Sequence, residues 1–169
     1  MMCNINSFDD FVANHIKLFS EPPILLTKIC DELGIEIYTI DAEDDFCGEI
    51  KYDMDTRTFE IYVNNKHSDG RQRFTIAHEL AHFFIHNNEV KILGISDSAM
   101  HRYNGKRGQV EREANELASK ILMPKDLILT HIKDFIDEKT NDINIARMAQ
   151  IFRVSESAMG YRLINLGIL

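Results

Sequence analysis

Residues 73–88 read RFTIAHELAHFFIHNN, and no other segment restricts the fold so tightly. Apolar residues at Phe74, Ile76, Ala77, Leu80, Ala81, Phe83, Phe84 and Ile85 predict a helix buried around most of its girth. Three histidines and a glutamate interrupt it. Turned at about 100° per residue with His78 at zero, His82 falls near about 40°, Thr75 about 60°, His86 about 80° and Glu79 about 100°. A narrow polar strip thus runs along an otherwise apolar helix, and burying it costs free energy unless a partner offsets the loss of water. A divalent cation is the partner these residue types suit.

His78 and His82 are one turn apart, so both imidazoles can reach one Zn²⁺ at about 2.0–2.1 Å. Glu79 points slightly aside, where it can take a proton from a water attacking a carbonyl. His86 shares the strip. Three ligands from successive turns of one straight helix do not suit a tetrahedral site, so His86 is expected to be structural, near a helix end.

Catalytic zinc usually takes three protein ligands. The extended pattern HExxHxxGxxH would need Gly at 85 and His at 88, where this chain has Ile85 and Asn88. The segment QVEREANELASKILMP, residues 109–124, offers Glu111, Glu113 and Glu116 instead. With Glu111 at zero, Ala118, Leu122 and Asn115 lie within about 40° of it, whereas Glu113, Glu116 and Lys120 gather near about 140–200°. Glu111 is therefore the expected third ligand, and Asn115 the expected partner of a ligand histidine. The alternative is a buried Glu111 paired with Lys or Arg.

Around these helices the chain reads as α+β. SFDDFVANHIKLF is helical with Ser7 as N-cap. PPILLTKICDELG is a helix with prolines in its first turn, stopped at Gly34. IEIYTI, CGEIKYDM and TFEIYVN alternate as short strands, the last two joined as a hairpin through DMDTR. The sheet is expected to be small, antiparallel or mixed. SDG opens the histidine helix, which should run to about His86, with residues 87–108 mostly loop. Two short helices around a turn, INIARMAQIF and ESAMGYRLINLG, close the chain. A core over 1–134 that carries the metal ligands is expected, with a C-terminal helical block over 135–169 packed on it, either as a separate division or as part of the same domain.

A net charge of −8 over 169 residues argues against general affinity for nucleic acid or anionic membrane. No apolar run reaches the length of a membrane span, and MMCNINSFDDF lacks a leader's basic and apolar regions. The three cysteines, Cys3, Cys30 and Cys47, have no paired spacing and suit a reducing compartment. A cytoplasmic protein is expected.

RFTIAHELAHFFIH, then EREANELASKILMP, then IARMAQIFRVSESAMGYRLINLG resembles, block by block and in order, the ImmA/IrrE family of zinc metallopeptidases. The resemblance implies a zincin-like, gluzincin-type peptidase with one Zn²⁺ on His78, His82 and Glu111 and Glu79 as base. Family members typically act on a repressor or regulatory protein, often one with a helix-turn-helix, and are linked to mobile elements, stress responses or defence. Many carry a fused N-terminal helix-turn-helix. About 34 residues precede the first strand here, so a separate partner encoded nearby is expected.

Tyr62, His101 and Tyr103 are the candidates to steady an oxyanion. The strands around 47–64 offer an edge to an extended peptide. Cys47 near that edge is either a latent-state zinc ligand or an inert thiol. The competing reading is a non-catalytic metal-binding regulator that binds DNA or protein through its C-terminal helices. Against DNA, the turn position that usually takes Gly carries Arg153, the second helix offers only Arg162, and the block nets +1 (Arg147, Arg153 and Arg162 against Asp142 and Glu156).

Overall fold

The computed structural model describes the backbone of residues 7–93, 107–138 and 140–169, with the side chains of 87–93 and 107 outside that description. Helix α1 (Phe8–Asn14) starts where Ser7 Oγ accepts from Asp10 N at 3.1 Å, and carries two aspartates in its first turn. Helix α2 (Leu26–Leu33) ends at Gly34, whose φ of 67° supplies the left-handed cap. The expected prolines are not in its first turn: the helix begins after Pro23 and Ile24. The Ile24 carbonyl accepts from Arg73 Nη2 at 2.9 Å.

Strands β1 (Ile35–Ile40), β2 (Gly48–Asp53) and β3 (Thr58–Asn64) form one mixed sheet in the order β1-β3-β2. The β2–β3 hairpin is antiparallel, and β1 pairs parallel with β3. On β3 the odd positions Phe59, Ile61 and Val63 are buried, and the even positions Glu60 and Tyr62 face outward.

Helix α3 (Asp69–Leu93) covers the inner face, with Phe83 edge-on to Phe59 at 4.9 Å between centroids. It continues past the expected end. His86 leaves helical geometry at φ −124°, ψ 16°, and residues 87–93 resume as helix instead of loop. Phe8 and Phe11 of α1 close on Phe84 at 5.3 and 5.5 Å. Gly48 permits the approach of β2 to α3. A Cβ there would sit 2.4 Å from Thr75 Cγ2 and 2.5 Å from the Tyr62 carbonyl oxygen.

Helix α4 (Arg107–Leu122) lies against α3. Ala77 and Ala81 on α3, and Ala114 and Ala118 on α4, are fully buried, and side chains this small let the two axes come close. Pro124 then admits α5 (Lys125–His131), a 3₁₀ turn (Ile132–Phe135), α6 (Ile145–Phe152) and α7 (Glu156–Asn165). Asn144 and Ser155 cap the last two helices through their side-chain oxygens.

Arg153, between α6 and α7, adopts φ 53°, the left-handed geometry that suits Gly. Its guanidinium grips Asp69, the first residue of α3, at 2.7 and 3.2 Å. Its carbonyl accepts from Arg73 Nε at 3.3 Å. Arg162, the cation that a DNA-reading helix would have offered, is buried and donates from Nε to the Met123 carbonyl at 2.9 Å. Among the described residues no helix is long and apolar enough to cross a membrane.

Two glycines give a paired test. Gly48→Ala forces β2 or α3 to shift and should cost about 1–3 kcal/mol of unfolding free energy in urea. Gly70→Ala, in the first turn of α3 where a Cβ meets nothing within 4 Å, should be neutral or raise stability by up to about 1 kcal/mol.

Candidate metal centre

Four-residue spacing stacks His78 above His82 on α3, with ring centroids 4.6 Å apart and planes at 81°. Their Nε2 atoms face each other at 3.0 Å. Glu111 reaches the same point from the first turns of α4. Its Oε2 is 3.4 Å from His78 Nε2, and its Oε1 is 3.8 Å from His82 Nε2. The three ligand atoms lie within 4.8 Å of one another, a group that could hold a metal ion.

The outer nitrogens fix which atoms point inward. His78 Nδ1 is 3.0 Å from Asn115 Oδ1, and an amide oxygen only accepts, so Nδ1 carries the proton and Nε2 presents a lone pair. His82 Nδ1 is 3.2 Å from His86 Nδ1. With His82 donating, its Nε2 is likewise a lone pair. Two imidazole lone pairs and a carboxylate then converge on one point, a repulsive cluster that a cation makes favourable.

The distances fit such an ion. Tetrahedral bonds of about 2.0–2.2 Å set ligand atoms about 3.3–3.6 Å apart. The observed 3.0, 3.4 and 3.8 Å straddle that range. His82 is fully buried, while the side chains of His78 and Glu111 keep 13% and 29% of their exposure, so the site opens on their side.

Glu79, next to His78 on α3, is only 2% exposed and stands outside the three-atom group. His86, which the sequence marked as structural, is buried at the break in α3 with its ring 5.3 Å from that of His82. Its contact with His82 Nδ1 was not foreseen, although the same four-residue spacing signals it. Glu113 and Glu116 are exposed, the first accepting from Gln109 at 2.9 Å and the second paired with Lys120 at 2.7 Å, as helical phase implies.

Tyr62 does not belong with the site, which corrects its candidacy as an oxyanion stabiliser. It projects from the outer face of the sheet, donates to Glu60 at 2.7 Å and stacks on Tyr38 at 5.3 Å. The Glu60 carboxylate, as acceptor, pushes the phenol up to about 12. His101 and Tyr103 lie outside the described residues. Cys47 is exposed with its sulfur 3.2 Å from Arg71 Nη2, and takes no part in the three-ligand group. Cys30 is buried, and that burial raises its thiol to about 12.

Residues 30–164 match the family described as the IrrE N-terminal-like domain, Peptidase_M78. No curated protein matches the chain. Among solved structures, a Mycobacterium tuberculosis transcriptional regulator is similar at 19% identity and a TM-score of 0.54, over 82% of this chain and 39% of that one. That likeness is one of fold, and the chain spans well under half of the regulator's length. With a match that extends across most of its residues and includes both helices of the metal-binding group, the chain belongs to the IrrE N-terminal-like family of M78 peptidases.

Proposed function

We propose that the chain is a zinc-dependent endopeptidase that hydrolyses a peptide bond in one specific protein, a helix-turn-helix repressor or similar regulator encoded nearby. The observation that carries this reading is the convergence of His78, His82 and Glu111 at separations of 3.0–3.8 Å, beside a buried Glu79. Zinc held there would supply Lewis acidity to the scissile carbonyl and the attacking water.

Glu79 is the proposed base. Its carboxylate takes the proton from the attacking water and returns it to the leaving amine, and its burial favours that transfer by excluding competing solvent. Asn115 and His86 hold the two imidazoles from behind, fixing tautomer and ring angle. β2 is an edge strand brought against α3 by Gly48, so an extended substrate can pair with its main chain beside the site.

The second reading is a non-catalytic regulator with a structural metal and C-terminal helices that bind DNA or protein, and the likeness to a transcriptional regulator is compatible with it as with the first. Against DNA, Arg162 is buried and Arg153 is paired with Asp69, which leaves Arg147, exposed, of the block's three arginines.

Incubation with neighbouring gene products, with and without chelator, identifies the substrate. Cleavage should require metal. Glu79→Gln should reduce cleavage by about 10²–10⁴-fold while zinc content by mass spectrometry stays near one per chain; an active variant would refute the mechanism. Glu111→Ala should lose zinc and Glu113→Ala should keep it. Asn115→Ala and His86→Ala should each weaken zinc binding by about 10–100-fold in competition with a chromogenic chelator.

A further inference from the structure

Arg162 is only 7% exposed, yet its one hydrogen bond runs from Nε to a carbonyl, leaving both terminal Nη groups without a carboxylate in ion-pair range among the described residues. Glu116, the acid that acts on it from a distance, is already engaged by Lys120 at 2.7 Å. Burial lowers the Arg162 pKa, and Glu116 opposes that shift. The Nη groups open on solvent at the groove that Arg162 lines, where an arriving carboxylate can replace water with charge-assisted hydrogen bonds.

The room for one is present. Arg162 lines a groove of about 1160 Å³ walled by α1, α4 and α7. Phe74 and Leu166 give it apolar surface, Ser119 gives hydroxyl surface, and Tyr161, 70% exposed, stands at its border. With Lys120 and Glu116 cancelling each other, Arg162 and Lys125 face Asp9 alone, a local excess of +1 in a chain of −8. The volume exceeds the ~300–1,000 Å³ of sites that enclose a small molecule. Tyrosine and arginine are enriched among the residues that anchor protein–protein interfaces.

We infer that this groove docks an acidic, apolar polypeptide segment of a partner protein. An Asp or Glu carboxylate of the segment meets both Nη groups of Arg162, and its apolar side chains lie on Phe74 and Leu166. Asn115, whose Oδ1 orients His78, also lines the groove, so the occupant touches the support of the metal centre without entering it. The inference goes beyond the peptidase reading and does not need the chain to be catalytic.

The chain has no tryptophan, so a tryptophan-bearing peptide reports binding to the full zinc-loaded protein by its own fluorescence. The probes are a blocked heptapeptide, Leu-Trp-Glu-Leu-Leu-Glu-Phe, and its counterpart with both Glu replaced by Gln. The acidic peptide should bind at least about tenfold more tightly, the worth of one charge-assisted pair. Arg162→Gln should abolish that preference. Ser119→Trp, which fills the groove and leaves Arg162 in place, should weaken both peptides, and it carries the test if Arg162→Gln fails to fold. Its added indole requires isothermal titration calorimetry for that variant and for a parallel wild-type control. Glu79→Gln should bind like wild type, which separates failure of docking from failure of catalysis. Equal affinity for the two peptides, a preference that survives in both groove variants, or displacement by inorganic phosphate without any peptide preference would overturn the inference.

Discussion

Three electron-rich atoms brought within 4.8 Å of one another set the terms for everything around them. With both Nε2 lone pairs turned inward, two imidazole nitrogens and a carboxylate repel unless a cation lies between them, and two helices and two supporting side chains hold them in place. α3 supplies the histidines at one-turn spacing, and α4 supplies Glu111 together with Asn115, one turn further on. Each ligand is aimed by the backbone and then held from behind.

The scaffold is arranged to keep α3 and α4 close and straight at this point. Buried alanines at 77, 81, 114 and 118 allow the close approach. Gly48 lets the β2 edge lie against Thr75, one turn ahead of the ligands. The C-terminal helices clamp the start of α3 through Asp69 and Arg153, and hold the end of α4 through Arg162 and Met123. The break at His86 falls just after the second ligand, so the bend in α3 leaves the His78–His82 turn regular and presents the third imidazole to His82 Nδ1.

Much of this was legible because it is periodic. The polar wedge on residues 75–86 and the inward phase of Glu111 follow from helical geometry, and Gly34 and Ser7 are local signals that act within their own turns. Tyr62 was misplaced, although the alternation that buries Phe59, Ile61 and Val63 already puts it on the other face. What could not be read depends on long-range meetings. The Arg153–Asp69 pair spans 84 residues, and parallel pairing of β1 with β3 leaves no mark in either strand. Pro22 and Pro23 lie before the helix instead of in its first turn, and the Ile24 carbonyl that follows them meets Arg73 from a distant helix.

X-ray absorption at the zinc edge of the loaded protein tests the central claim most directly. The account predicts two imidazole nitrogens at about 2.0–2.1 Å and carboxylate oxygen at about 2.0–2.2 Å, with the oxygen contribution reduced by removal of Glu111. A sulfur shell at about 2.3 Å, or a spectrum without imidazole scattering, would contradict it.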